Sequence, residues 1–212
     1  MALSEPFDIL AEFPGWTTSF APRMRQEQST SAAGRTYVKD LGPALWTATH
    51  TSRALKPTEL EEWRARLEAL AGTQQTFLGY SLARCWPTAY PRGTWPTGGA
   101  FSGTAALAVI APDRKTIQVD GLPAGFRLTV GDLIRIGASD LHRLRQAALA
   151  GGGGETGDFE IWPNLWPGVI AGAAVSVRRP HCLMTVVPGS VSALADMATG
   201  RGTIAFQGME AR

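Results

Sequence analysis

The stretch Lys56 to Gly72, KPTELEEWRARLEALAG, constrains the chain more than any other. Leu60, Trp63, Leu67 and Leu70 recur at helical spacing, so a helix over residues 57–71 carries a single apolar stripe. Its other face pairs with itself: Glu62 stands four residues before Arg66, and Glu61 three before Arg64. Pro57 suits the first helical position, and Gly72 is a natural left-handed stop. Lys56 stands where Ser, Thr or Asp would cap the helix, which predicts a frayed first turn. The stripe must lie on something apolar. No other stretch has a comparable helical signal, so its partner is expected to be a sheet.

The rest of the chain reads as strands and turns. Residues 1–14 read as a loose arm, with Phe7, Ile9, Leu10 and Phe13 interrupted by Pro6 and Pro14. Trp16, Thr18 and Phe20 alternate with Thr17 and Ser19, as in a strand with one face turned inward. Arg23 to Thr30 is polar with no buried face of its own, which makes it an edge strand or an arm. Arg35–Lys39, Leu45–Ser52 and Thr76–Tyr80 read as further strands. Trp46, Ala48 and His50 share one face of the second of these.

The composition breaks at Arg84 to Gly98, where prolines are too dense for a helix or a central strand. Cys85, Trp86 and Pro87 therefore mark a candidate domain crossing, and Arg179 and Pro180 a second. Between them lie short strands with turns at small-barrel spacing; residues 141–149 read as a helix capped by Ser139 or, in the barrel context, as a strand. Beyond Pro180 only two strands are evident, His181–Val187 and Gly202–Gln207, and two strands do not make a stable domain. They are expected to pair with the N-terminal sheet. The expected fold is mainly β: a split β-sandwich with one packed α-helix (residues 1–87 and 181–212), interrupted by a small inserted β-barrel domain (residues 88–180).

Little in the chain points to chemistry. Gly151 to Gly154 lacks the Lys-Ser or Lys-Thr of a phosphate loop. Cys85, His181 and Cys182 lack metal-ligand spacing, and two cysteines make no disulfide framework. His50, His142 and His181 stand in no hydrolase motif. Asp132 and Asp158 are accounted for by turn chemistry. No cofactor, metal or catalytic residue is assigned, and the chain reads as structural or binding rather than enzymatic. Trp162 and Trp166 bracket Pro163-Asn164 near a barrel rim; they are candidates for a surface that stacks on sugars, or for packing at an interface.

Charge is nearly balanced, 20 basic against 18 acidic residues, with no basic run to bind nucleic acid. No apolar run is long enough to span a membrane, and the N-terminus is not built as a signal peptide. Charged residues make up only 18 % of a chain with 24 Gly and 14 Pro. That balance suits a turn-rich β protein, or a surface largely covered by neighbours.

The order of features resembles distal tail proteins, or near relatives at the tail tip and baseplate, of long-tailed bacteriophages. The resemblance runs over about residues 15 to 190. It rests on a Trp-containing strand, the ELEEWRARLEAL helix, TFLGY and the CWPTAYPRG crossing. GDLIRIG, EIWPNLWPGVIAGAAVSVRRP and HCLMTV continue it. The resemblance implies a virion protein made in the bacterial cytoplasm, which forms a hexameric ring between the tail tube protein and the baseplate hub protein. DNA would pass through the lumen without sequence-specific contact, and receptor-binding or fibre proteins would lie nearby. The arm at residues 1–14 and the polar segment from Arg23 to Arg35 are the candidate contacts. The alternative is a carbohydrate-binding or receptor-binding module of a tail or adhesin, using Trp162 and Trp166.

Overall fold

The computed structural model describes residues 5–70, 73–95 and 101–212. It is mainly β, with one α-helix, packed sheets and a closed six-stranded barrel. The first strands are β1 (Gly15–Arg23), β2 (Gln26–Thr30), β3 (Thr36–Asp40) and β4 (Leu45–Ser52). Helix α1 (Pro57–Glu68) and β5 (Phe77–Gly79) follow. After the barrel come β14 (Cys182–Val186), β15 (Ser192–Ala195) and β16 (Gly202–Glu210). The main sheet runs β1-β4-β16-β14-β5, all antiparallel, with β15 also on β16. β14 and β15 lie end to end along one side of β16. Three strands, not two, thus return to the sheet after the barrel. β15 (SALA) has too little apolar patterning to be read alone.

Alternation in β4 puts Trp46, Ala48 and His50 on the inner face, and α1 covers that face beside β15 and β16. Leu60, Trp63, Leu67 and Leu70 are all buried there. The helix is shorter than the predicted 57–71: it ends at Glu68, Leu70 is buried in the turn that follows, and Gly72 lies outside the described residues. Its first turn does not depend on a cap at Lys56. The Glu59 carboxylate accepts the Lys56 N–H at 3.0 Å and pairs with Arg53 at 3.3 Å.

The N-terminal segment is not a loose arm. Phe7, Ile9, Leu10 and Phe13 are buried in the same core. Phe7 takes a strand-like place beside β5, donating to Thr76 O at 3.1 Å and accepting from Leu78 N at 2.8 Å. The pairing is a single bridge, while Phe13 packs edge-on against Trp63 of α1.

All six barrel strands lie between β5 and β14: β6 (Thr104–Ile110), β7 (Thr116–Asp120), β9 (Leu133–Ile136), β10 (Asp140–Leu144), β12 (Phe159–Trp162) and β13 (Ala174–Ser176). They close in the order β10-β12-β7-β6-β13-β9 around Leu107, Ile117, Val119, Ile136, Phe159 and Val175. A two-strand ribbon of β8 (Arg127–Leu128) and β11 (Ala148–Leu149) lies beside it. Residues 141–149, which read as helix or strand, are two strands interrupted at residues 145–147.

Candidate functional site

The two composition breaks lie side by side. The Arg179 N–H donates to the Cys85 carbonyl at 2.7 Å, so the chain leaves the sheet and returns to it at one place. Pro87 and Pro180 are buried there. Trp86 packs edge-on against Trp95 at 5.5 Å, with the Arg178 guanidinium 5.0 Å from its ring centre. Arg179 adopts a left-handed φ of +46° and pairs with Asp8 at 3.4 Å. Residues 96–98 of the expected crossing lie outside the described residues. Asp132, read from sequence as a turn residue, is buried and does more. One oxygen accepts from Thr129, the other from the Thr88 N–H at 2.9 Å and its hydroxyl at 2.7 Å, which ties the outgoing crossing to the barrel.

A second junction joins the sheet face to the barrel wall. The Trp46 indole N–H donates to Leu141 O at 2.8 Å, and Leu133 and Leu141 pack into the sheet core. Trp46 is stacked on Phe20 at 5.2 Å, and the Arg143 guanidinium lies 5.3 Å from its ring centre. The buried Glu210 carboxylate accepts the Trp46 backbone N–H at 2.9 Å and pairs with Arg212 at 2.7 Å. Arg212 in turn lies 3.9 Å from the centre of the Trp166 ring. Burial pushes the Glu210 pKa up against the pull of these partners.

Trp162 and Trp166 are half-buried, and each has a cation over its ring: Arg145 at 5.5 Å from Trp162, Arg212 on Trp166. The loop around Trp166 is pinned by the Arg114 guanidinium, which donates to the carbonyls of Leu165, Trp166 and Val169. A shallow groove of about 320 Å³ runs past Trp166, between Ser139-Asp140 and Val169-Ile170.

The histidines and cysteines are packing groups. His50 is buried between Phe13 and Phe206 with Thr18 Oγ1 at 3.2 Å; His142 is buried with Pro163 O at 2.7 Å. Burial lowers both pKa values to about 4, so both rings are neutral at pH 7. His181 meets the Arg135 guanidinium at 2.6 Å. The free thiols of Cys85 and Cys182 donate to backbone carbonyls, and burial pushes both thiol pKa values up, away from reactivity. Among the described residues no group of three or more His, Cys, Asp or Glu side chains is gathered as metal ligands.

The β2–β3 hairpin and the first strand are largely exposed. Arg23 to Thr30, read as an edge strand or arm, supplies β2, the first strand of that β-hairpin. Among the described residues β2 and β3 pair only with each other, and every one of their residues is exposed. Tyr37 and Val38 are 58 % and 60 % exposed. Among the described residues β1 pairs only with β4, and no strand lies along its outer edge. Trp16, expected on the inner face of β1, is 79 % exposed. The cause is a β-bulge: Gly15 opposes Ser52 and Thr17 opposes Thr51, so Trp16 has no place in the register and is turned outward.

No protein-family model matches the chain, and no curated protein matches it.

Proposed function

We propose that this chain is a structural protein of a phage tail tip, assembling as a ring of about six copies that joins the tail tube to the baseplate hub around the DNA channel. The observation that carries the reading is the β2–β3 hairpin. A two-stranded hairpin is marginal alone in water and needs a surface to lie on. This one presents Tyr37 and Val38, and among the described residues it belongs to neither core cluster. A neighbouring chain supplies such a surface. The resemblance in the helix and crossing motifs supplies the class of assembly, with tail tube protein and hub protein as the other partners, receptor-binding or fibre proteins at the periphery, and the tail tip of the virion as the location. Near-neutral charge agrees with a channel wall that holds no phosphate backbone.

The test is the native mass of the purified full chain, followed by electron microscopy of what forms. A closed ring supports the reading. A monomer of 22.6 kDa that binds neutral oligosaccharides, and loses them on Trp166→Ala, replaces it with the adhesin alternative.

A further inference from the structure

Of the three histidines, His181 alone has a charged side chain within hydrogen-bond distance. It follows the return crossing and stands directly before β14 of the main sheet. Its Nε2 lies 2.6 Å from Nη1 of Arg135, on β9 of the barrel wall, and its Nδ1 lies 3.2 Å from the Arg179 carbonyl oxygen. Neither partner leaves the ring a choice. A guanidinium stays charged and only donates, and a carbonyl only accepts. Nε2 is therefore bare, Nδ1 carries the proton, and the contact exists only with a neutral ring. A proton added at Nε2 would set one cationic N–H against another.

The surroundings have little to absorb that charge. Three charged groups face the ring: Arg135 from β9, Arg179 from the crossing and Asp8 from the N-terminal segment. Asp8 is the one carboxylate among them, and it already accepts from the Tyr80 hydroxyl at 3.0 Å and pairs with Arg179 at 3.4 Å. Cys85, beside Arg179, is an uncharged thiol whose pKa burial pushes up. Arg135 itself is in no ion pair among the described residues, and its Nε is buried without a hydrogen-bond partner there. Burial, then the Arg135 charge, lowers the His181 pKa from its usual 6.5.

We propose that His181 and Arg135 form an acid-sensitive catch between the barrel and the main sheet. The neutral ring holds the barrel wall to the return crossing; protonation of Nε2 expels Arg135 and frees the crossing, while both cores stay packed. The Trp46–Leu141 hydrogen bond, made by an indole and a carbonyl that do not titrate, remains as the pivot. The catch lies within one chain and does not depend on assembly.

NMR and hydrogen exchange on the full chain from pH 7.5 to 5 test this with three proteins: the wild type, His181→Gln and Arg135→Gln. That range stays above the midpoints near 4 of His50 and His142. In the wild type the His181 ring should be neutral at pH 7.5 with its proton on Nδ1, and should titrate below 6.5. As it does, the Arg179 amide, bonded to the Cys85 carbonyl, should exchange about tenfold faster relative to its intrinsic rate, while the amides of β4 and β7 hold. His181→Gln should abolish that step. Arg135→Gln should raise the His181 midpoint toward 6.5, a result that decides the matter even where His181→Gln fails to fold. A proton on Nε2 at pH 7.5, a ring that does not titrate by pH 5, or an Arg179 amide indifferent to the titration overturns the catch. So does an acid step that persists in His181→Gln, or a midpoint unmoved in Arg135→Gln.

Discussion

His50 and His142 sit in opposite halves of the molecule, yet burial has the same effect on both. Each is kept neutral, with a pKa lowered from 6.5 to about 4. A base whose folded pKa lies below its unfolded value contributes stability that is complete above pH 6.5. That stability is lost as pH falls from 6.5 toward 4, by up to about 1.4 kcal/mol per pH unit for each ring. Glu210 and Asp140, raised by burial, act with the opposite sign as pH falls through their raised values and offset part of the loss. Imidazole titration by NMR separates the contributions. Midpoints near 4 for His50 and His142 are expected, and midpoints near 6.5 would contradict their burial. Gly79 is a second residue whose role only packing reveals. A Cβ there would run into the Met184 side chain, so Gly79→Ala should cost about 1–3 kcal/mol in urea unfolding. Nothing around Gly79 in the sequence marks it, because Met184 is brought against it by the return of β14 across the whole barrel.

At the scale of elements, legibility follows periodicity. α1 was readable because its stripe of Leu60, Trp63 and Leu67 is local, and β4 because its alternation is unbroken. Trp63 meets Phe13 edge-on at 5.2 Å, with the Arg66 guanidinium 4.8 Å from its ring centre. Trp63→Ala should therefore cost about 3–5 kcal/mol, measured by denaturant unfolding, and should release the N-terminal segment to rapid hydrogen exchange. Where a pattern is interrupted, sequence reading fails for a physical reason. Pro6 and Pro14 remove regular structure from residues 5–14 without removing the apolar side chains that pack. One bulge at Trp16 inverts the facing that alternation would assign. The hairpin is the reverse case: the absence of any buried face between Arg23 and Thr30 is visible in the residues, and β2 is exposed throughout.

The whole molecule is held by contacts that no local pattern contains. Trp46 reaches Leu141 across 95 positions, and Glu210 reaches the Trp46 backbone across 164. The composition breaks at Cys85–Pro87 and Arg179–Pro180 were visible as breaks, but their hydrogen bond to one another was not. The same holds for the sequence reading of Trp162 and Trp166 as a paired surface. The cations over their rings come from Arg145, in the bend just after β10, and from Arg212. At the sheet–barrel junction, Arg212→Ala would leave a Glu210 carboxylate buried without its ion pair. A loss of about 3 kcal/mol is expected in denaturant unfolding, and Glu210→Gln added to it should recover part of that loss. Equal stability of the single and double variants would show that the pair does not hold the junction.

The central claim is that this chain is made to be covered by its neighbours, and native mass spectrometry of the purified full-length chain tests it most directly. The account predicts a discrete assembly of about six copies with closed, head-to-tail symmetry. A single species of 22.6 kDa at every concentration would contradict it.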